Sequence, residues 1–167
     1  MTSFEELRFR PIGILHSGHT DAGRTPIQPC YADDCVGTVE VFPEYAAGLK
    51  DIEGYSHIYL IYGFHLAPAA SLLVRPFLQD TERGLFSTRA PCRPNPIGMS
   101  IVRLEGREGA LLRFRGADML DGTPLLDIKP YAARFDCIKN TRNGWQDEVS
   151  DKEALKRGRR HDAAAGS

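Results

Sequence analysis

A stretch rich in proline and arginine, from Gly84 to Arg103, restricts the regular structure that the middle of this chain can form. It contains no carboxylate, and its prolines and arginines are Pro91, Pro94, Pro96, Arg89, Arg93 and Arg103. Proline fixes its own φ angle and favours an extended residue before it, so Arg93 and Asn95 are held in extended geometry. Apolar runs typical of strands lie on both sides, which predicts a stiff basic loop on a sheet. Composition alone equally allows a solvated connector.

Short apolar segments separated by turn residues recur along the chain. They lie at 8–16, 36–42, 55–65, 72–77, 84–89, 97–105, 110–115 and 124–131. The longest, 55–65, is rich in aromatic and β-branched residues and is predicted to be a central strand buried on both faces. Many short strands joined by turns are typical of a barrel or a sandwich, so the predicted fold class is all-β.

Three connections have their own signals. Pro43 and Gly54 fit the start and the end of a short helix. The segment 106–109 predicts a hairpin turn between two strands. The long segment 17–35 has no periodicity and is predicted to be a functional loop. The basic segment 152–161 is predicted to be either a short helix or a solvated tail.

The last predicted strand has charged residues on one side. Period-two alternation places Asp127, Lys129 and Tyr131 on one face, with Leu126 and Ile128 on the other. Lys129 and Asp127 then form a pair that satisfies itself, or they line the wall of a polar site.

Length and charge limit the classes of function. A chain of 167 residues suits one domain with a real core. A net charge of −1 gives no general attraction to nucleic acid or membrane, so an anionic partner needs a local basic patch. No segment is apolar for long enough to cross a bilayer, and the start lacks a signal-peptide pattern. A cytoplasmic location is expected.

The four cysteines lack the spacing of a metal site. They contain no CxxC pair and have no histidine at ligand spacing: Cys30, Cys35, Cys92 and Cys137. Free thiols in a reducing compartment are expected. A metal held by Cys30 and Cys35 with Asp33 and Asp34 is the less favoured alternative, so no metal is predicted.

Familiar catalytic motifs are missing from the sequence. It has no GxGxxG after a strand and no Walker-type phosphate loop, which argues against a Rossmann nucleotide site. It has no GxSxG and no HExxH, which argues against the common hydrolases.

Two longer strings carry a resemblance. They are Arg-Pro-Asn-Pro-Ile-Gly-Met-Ser at 93–100 and Asp-Gly-Thr-Pro-Leu-Leu-Asp-Ile-Lys-Pro-Tyr at 121–131. Together with Gly-Leu-Phe-Ser-Thr-Arg at 84–89 and the segment 54–65, they resemble the tRNA N6-threonylcarbamoyladenosine methyltransferase family over about residues 8–132.

The resemblance implies a single closed or near-closed all-β barrel with one or two short helices and a short C-terminal tail. It also implies S-adenosylmethionine as methyl donor, a homodimer, and a modified adenosine beside the tRNA anticodon as substrate. Residues 1–135 are expected to form the donor-binding barrel, and 136–167 a partly disordered extension that is not a separate domain.

Residue roles follow from the resemblance as expectations. The donor is expected at Gln28, Pro29, Cys30, His65, Leu66, Arg89, Ile101, Asp121, Gly122, Thr123 and Pro124. A modest base suffices for an N–H beside a carbonyl, and the candidates are Asp121, His65 and Tyr131. The threonyl carboxylate suits the forked guanidinium of Arg93 or Arg89, with Asn95 and Lys129 as further substrate contacts.

Anticodon-arm phosphates are expected to meet Arg113, Arg115 and the basic segment 156–160. Fewer residues follow Tyr131 than in family members with a further C-terminal domain. Two other functions therefore stay open: a donor-binding or RNA-binding module without turnover, and a methyltransferase of the same barrel type with a non-tRNA substrate.

Overall fold

Six antiparallel strands close into a barrel, and the all-β prediction is confirmed. The computed structural model describes residues 6–160. Its strands are β1 (Gly13–Ser17), β2 (Val36–Val41), β3 (His57–Gly63), β4 (Leu73–Val74), β5 (Arg83–Gly84), β6 (Ile97–Glu108), β7 (Leu111–Arg115) and β8 (Thr123–Pro130). The order around the barrel is β1-β2-β7-β6-β3-β8, and β4 pairs only with β5.

Alternation of side chains fills the barrel interior. In β3 every second residue is buried, and the same holds for the first half of β6. The fully buried aliphatic and aromatic side chains include Leu15, Val39, Ile58, Leu60, Val102, Leu112, Phe114 and Leu125. The prediction that 55–65 is buried on both faces is therefore wrong, because a strand in a barrel wall has one face in the core and one face outside.

The long strand β6 pairs with two different strands along its length. Its first half, from Ile97 to Arg103, pairs with β3, and its second half pairs with β7. The register shifts between Leu104 and Gly106, which indicates a bulge. The predicted turn at 106–109 is therefore too early: the bulge bends the strand and the chain reverses only after Glu108.

A second bulge corrects the predicted faces of β8. Its pairing with β3 shifts where Tyr62 faces Leu125 and Ile61 faces Asp127. Leu125 is fully buried, and Ile128 packs against the core from the other side of the shift. The core side of β8 is therefore Leu125 and Ile128, rather than Leu126 and Ile128 as strict alternation predicts.

Several predicted segments are shorter than expected. The first strand begins at Gly13 rather than at residue 8. The run 72–77 contributes only β4, and the run 84–89 turns into a 3-10 helix at Leu85–Ser87 after β5. The predicted short helix between β2 and β3 is present as two 3-10 helices, Pro43–Leu49 and Ile52–Gly54.

Two short α-helices follow the barrel: α1 (Ala133–Asp136) and α2 (Asp151–Arg159). The hydroxyl of Ser150 caps α2 by accepting a hydrogen bond from the Glu153 backbone N–H. Of the two alternatives for the basic segment, the helix is correct. The partly disordered part of the extension was expected up to residue 167, and residues 161–167 lie outside the described chain.

The two ends of the barrel differ. One end, named here the loop end, carries the three long connections 18–35, 64–96 and 116–122. The opposite end, named the hairpin end, carries the turn between β6 and β7 and the connection from β2 to β3. Within residues 6–160 no helix is long and apolar enough to span a bilayer. The four cysteines form no disulfide.

Candidate functional site

The loop end gathers most of the residues that the resemblance assigns to the donor. Gln28, Pro29 and Cys30 lie on the connection after β1, and His65 and Leu66 follow β3 directly. Further candidates on connections to β6 and β8 are Arg89, Arg93, Asn95, Asp121 and Gly122, with Thr123 and Pro124 opening β8. Because β1, β3 and β7 end where β2, β6 and β8 begin, these segments meet at one edge of the barrel.

A hydrogen bond joins two of these loops. Arg89 donates from Nη1 to the Oε1 atom of Gln28 at 2.5 Å. The Gln28 amide nitrogen in turn donates to the backbone oxygen of Ile27 at 2.7 Å, which fixes the direction of the amide. Arg89 is exposed and forms no ion pair with a carboxylate of the described chain. Its remaining N–H groups are therefore available to an anionic group of a ligand.

Next to this pair, the 3-10 helix Pro29–Tyr31 packs against the connection after β7. Gly116 has φ +100, and a Cβ atom there would lie 3.2 Å from the Cβ of Pro29. Burial raises the pKa of the Cys30 thiol, and the charge of Asp118 adds to this effect. The thiol is therefore protonated at neutral pH and is not an activated nucleophile.

A buried polar network that the sequence did not reveal lies under this edge. Ser100 donates to the Oδ1 atom of Asp118 at 2.6 Å, and the Tyr62 hydroxyl lies 2.9 Å from the Ser100 hydroxyl. Tyr62 and Ser100 are buried in the barrel interior. The positive charge of Arg89 is close enough to favour the ionised forms of Asp118 and Tyr62.

Burial raises the pKa of Asp118 to about 7, although the Ser100 hydrogen bond and Arg89 act in the opposite direction. A carboxyl group whose pKa is strongly shifted by burial and that lies close to a charged side chain is typical of a functional site. The available sequence signal was its position between Ala117 and Met119, both apolar and buried. A carboxylate in such a setting must be partnered or protonated.

Asp121 lies at the same end in a more polar setting. Its carboxylate accepts a hydrogen bond from the Ser17 backbone N–H at 3.2 Å and lies 3.2 Å from Nδ1 of His16. These hydrogen bonds, that from Ser17 foremost, lower the pKa of Asp121 below its usual value. Asp121 is therefore a weaker base at neutral pH than Asp118.

The turn after Asp121 is rigid. Gly122 has φ +75, a conformation that suits glycine, and its N–H donates to the Leu15 oxygen at 2.9 Å. The buried Thr123 hydroxyl donates to the Leu120 oxygen at 2.7 Å, and Pro124 contacts β3 near Gly63. Backbone rather than side chains of this turn is thus offered to a ligand.

His65 and Leu66 form the exposed rim beside β3. Both side chains are exposed, Leu66 at 69%. An exposed leucine beside exposed arginine and histidine side chains offers an apolar surface at the rim.

Arg93, which is expected to bind the substrate carboxylate, makes contacts within its own loop. Its Nη1 donates to the backbone oxygens of Thr88 at 3.0 Å and Ala90 at 3.3 Å, on either side of Arg89. The guanidinium also lies 5.6 Å from the ring centroid of Phe86. Arg93 therefore holds the Arg89 loop in shape, which leaves fewer of its donors for a substrate carboxylate. Asn95 is exposed just before β6.

Three expected site residues lie elsewhere on the chain. Tyr131 follows β8 at the hairpin end and packs its ring against Tyr59 at 5.9 Å. The eight residues of β8 separate it from the loop end, a span of about 26 Å at about 3.3 Å per residue. Lys129 is paired with Asp127 at 2.9 Å, and Ile101 faces outward from β6. Within one chain, Tyr131 cannot act together with Asp121 or His65.

Several of the arginines expected to contact RNA form ion pairs with carboxylates of this chain. Arg115 is held by Glu105 at 2.8 Å. In the basic segment, Arg157 pairs with Asp80 at 3.0 Å and Arg159 with Asp34 at 3.8 Å. Arg113 is exposed and lines an open depression of about 480 Å³ on the outer wall together with Arg103, Leu104 and Glu105. The arginines of the segment 156–160 thus mainly bind other parts of this chain and do not form a free basic patch.

The arrangement can hold a small anionic ligand and a reacting group, but it has no activated nucleophile among the groups described. Within the described residues no three or more His, Cys, Asp or Glu side chains form a cluster that could hold a metal ion. A transfer reaction in which the protein aligns two ligands needs neither an activated nucleophile of the protein nor a metal ion.

Comparison with known proteins gives the family of this chain. The family model for the tRNA-methyltransferase O N-terminal domain matches residues 14–137. A probable S-adenosyl-L-methionine-binding protein of Pyrococcus abyssi is 58% identical over 137 residues, which are 82% of this chain and 74% of that protein. The human tRNA (adenine(37)-N6)-methyltransferase is 36% identical over 137 residues, 78% of this chain and 31% of that protein.

Solved structures give the same result. A crystal structure of TrmO matches with a TM-score of 0.73 and 41% identity, over 84% of this chain and 64% of that chain. A structure of TrmO from Pseudomonas aeruginosa matches with a TM-score of 0.71 and 39% identity, over 84% and 62%. The chain thus spans less than two thirds of these structures and about a third of the human protein. The barrel, the two sequence strings and the family match together identify the chain as a member of the tRNA-methyltransferase O family.

Proposed function

We propose that this protein transfers a methyl group from S-adenosylmethionine to N6 of threonylcarbamoyladenosine next to the anticodon of tRNA. The observation that carries the proposal is the loop end of the barrel, where Gln28 and Arg89 from two different loops are hydrogen-bonded to each other and Arg89 is close enough to influence the charge of the half-buried Asp118. Family relatives are named as S-adenosyl-L-methionine-binding proteins and as tRNA methyltransferases, which supports both the donor and the acceptor class.

The residues of the loop end fit the donor chemically. S-adenosylmethionine supplies an electrophilic methyl group on a sulfonium, together with a carboxylate and an adenine. Arg89 suits the carboxylate, because a guanidinium with free donors binds carboxylates in a forked geometry. The exposed apolar surface of Leu66 and the rigid backbone at Gly122 suit the flat purine.

The protein's task in such a transfer is alignment and removal of one proton. As the acceptor nitrogen forms its bond to the methyl carbon, the bond from that carbon to sulfur breaks and the N–H proton passes to a base. Among the carboxylates of the loop end, Asp118 has the pKa best matched to this task at neutral pH. Asp121 and His65 lie at the same end and remain candidates, whereas Tyr131 reaches the site only from another subunit.

A direct test uses two forms of the same tRNA. The purified protein should methylate tRNA that bears the threonylcarbamoyl group and leave the unmodified transcript unmethylated, because the carboxylate and the more acidic N–H exist only in the modified base. Methyl transfer from radiolabelled donor, followed by mass spectrometry of the nucleosides, measures this.

The alternatives give different results. Equal methylation of both RNAs contradicts the proposed acceptor. Donor turnover without any tRNA product indicates the same chemistry on another substrate, and donor binding without turnover indicates a binding module.

We also propose a homodimer formed through the outer face of β3 and β6. Ile97, Met99 and Ile101 are 40%, 46% and 38% exposed and lie side by side with Tyr59 and Ile61. A contiguous apolar face of this kind on a strand wall is typical of a protein interface. A second chain placed there also brings Ile101 of β6 into contact with another subunit.

Substituting this face should separate the subunits. Met99→Asp combined with Ile101→Asp should convert a dimer into a monomer of 18.6 kDa, as measured by light scattering after size exclusion. Val36→Asp, which changes an equally exposed apolar residue on β2, is the matched control and should leave the dimer intact. A wild-type protein that is monomeric at micromolar concentration contradicts this interface.

The same proposal covers the remaining features of the chain. Residues 1–135 form the donor-binding domain, and 136–167 are an extension of it rather than a second domain. A tRNA substrate accords with a cytoplasmic location. Arg103 and Arg113 beside the outer depression are the basic groups best placed for anticodon-arm phosphates.

A further inference from the structure

We propose that residues 144–160, named here the strap, position the two donor-binding loops and so set the affinity for S-adenosylmethionine. The strap consists of the 3-10 helix Gly144–Glu148, α2 and Arg160. It lies outside the part of the chain that the family model matches, residues 14–137. The inference rests on the proposed function, because it takes the loop end as the donor site.

The first half of the strap holds the loop that leads to Arg89. Trp145 donates from its indole N–H to the backbone oxygen of Ser87 at 2.8 Å, two residues before Arg89. Glu148 pairs with Arg83 at 3.0 Å and accepts a hydrogen bond from Gln79 at 2.9 Å. Three polar contacts thus fix residues 79–87 against the strap.

The second half holds the loop that carries Gln28. The Ile27 backbone N–H donates to the Gly158 oxygen at 3.1 Å, directly beside Gln28. Gly158 is buried against the Tyr31 ring, and a Cβ atom there would lie 2.5 Å from Cδ2 of that ring. Only glycine permits this approach, so the position of α2 fixes the 3-10 helix Pro29–Tyr31.

One further pair of contacts ties α2 to the loop that also carries Gln79. Arg157 binds Asp80 with two hydrogen bonds, at 3.0 and 3.3 Å. Arg160 stacks on Phe77 with its guanidinium carbon 4.0 Å from the ring centroid. The strap therefore contacts the loop that carries Gln28 and the loop that leads to Arg89 at the same time.

The strap holds the hydrogen bond between Gln28 and Arg89 in place. These residues belong to loops that are separated in sequence, and they meet in a geometry that a ligand would otherwise have to create. Ordering loops on binding costs conformational entropy, and a site that is already ordered binds more tightly. The strap supplies this order before the donor arrives.

The test is a pair of valine substitutions on the same helix. Gly158→Val drives a side chain into Tyr31, whereas Lys156→Val places the same residue on the exposed side of α2. Gly158→Val should weaken S-adenosylmethionine binding about tenfold by calorimetry, and Lys156→Val should leave it within twofold of wild type. The KM for the donor should rise by the same factor, with kcat at saturating donor and the KM for tRNA within twofold.

Two further measurements distinguish a local effect on the donor loops from a loss of the fold. Hydrogen exchange of the backbone amides of Ile27, Gln28, Cys30 and Tyr31 should speed up in Gly158→Val while the amides of β3 and β6 stay protected, which shows that the barrel is folded. Trp145→Phe, which removes the indole N–H bonded to Ser87 and keeps a smaller aromatic ring beside Arg83, should weaken donor binding about threefold.

Unchanged donor affinity in Gly158→Val overturns the inference. When Arg89→Ala does lose affinity in that case, the donor site stands and only the strap is refuted. When neither variant loses affinity, the proposed donor site fails together with the strap.

Discussion

Arg89→Ala is expected to weaken S-adenosylmethionine binding by about 30-fold. Arg89 joins two loops through Gln28, and its other donors face the loop end without a carboxylate of the described chain to satisfy them. A hydrogen bond to a charged group is worth about 1.5–3 kcal/mol, which corresponds to about 10- to 150-fold in affinity. Isothermal titration with the donor alone measures the effect, so no RNA is needed.

Two variants sharpen this result. Arg89→Lys keeps the charge but loses the planar fork, so it should recover only part of the affinity. Arg103→Ala removes an exposed arginine from the outer wall and should leave donor binding within twofold of wild type. An Arg89→Ala protein that binds the donor as tightly as wild type places the donor elsewhere.

The barrel was predictable from local patterns because each strand has a simple periodicity. The alternation in β2 and β7 follows directly from the sequence, and the stiff loop before β6 follows from its prolines. The bulge near Leu126 was not predictable, because a bulge adds one residue to a strand without changing its composition. Strict alternation therefore places Leu126 instead of Leu125 on the core side of β8.

The donor residues were predictable only through the resemblance, since nothing local marks Gln28 as a partner of Arg89. They lie on loops that meet because three strands end where three others begin. The same topology separates Tyr131 from Asp121 within one chain: both residues belong to one sequence motif, but β8 carries Tyr131 to the hairpin end.

Arg93 and Asp118 show two opposite limits of predicting a site from sequence. One residue was emphasised although its donors are largely used within its loop, and the other was overlooked. The proline-rich context drew attention to Arg93, yet its guanidinium is occupied by the carbonyls around Arg89. Asp118 attracted no attention, because a single aspartate beside Met119 looks like an ordinary turn. Its role depends on Ser100 and Tyr62, which lie on the paired strands β6 and β3 and are 38 residues apart in the sequence.

Asp118→Asn is expected to stabilise the protein at alkaline pH. The folded carboxyl has a pKa of about 7 against an ordinary value of 3.8. Between these two values the folded protein binds a proton that the unfolded chain has released, so stability falls as pH rises from about 4 to about 7 and levels off above that. The shift corresponds to at most roughly 4 kcal/mol, at about 1.4 kcal/mol per pH unit. Asparagine can still accept the Ser100 hydrogen bond and carries no charge to bury.

Urea unfolding from pH 4 to pH 8 measures this effect. Asp118→Asn should match wild type near pH 4 and exceed it by about 2–4 kcal/mol at pH 8. Asp33→Asn, which changes an exposed aspartate, is the control and should keep the wild-type pH dependence. The same pH dependence in Asp118→Asn and wild type contradicts the burial of this charge.

The same variant should methylate tRNA at least about 100-fold more slowly, because a well-placed general base contributes about 10²- to 10⁴-fold. Donor affinity should change much less than the rate, since Asp118 lies beneath the donor loops and does not pair with Arg89 directly. A purely structural carboxyl would give added stability with full activity, and that outcome would remove Asp118 as the base. A gain in stability together with a loss of rate is expected where a buried charge is kept for chemistry rather than for folding.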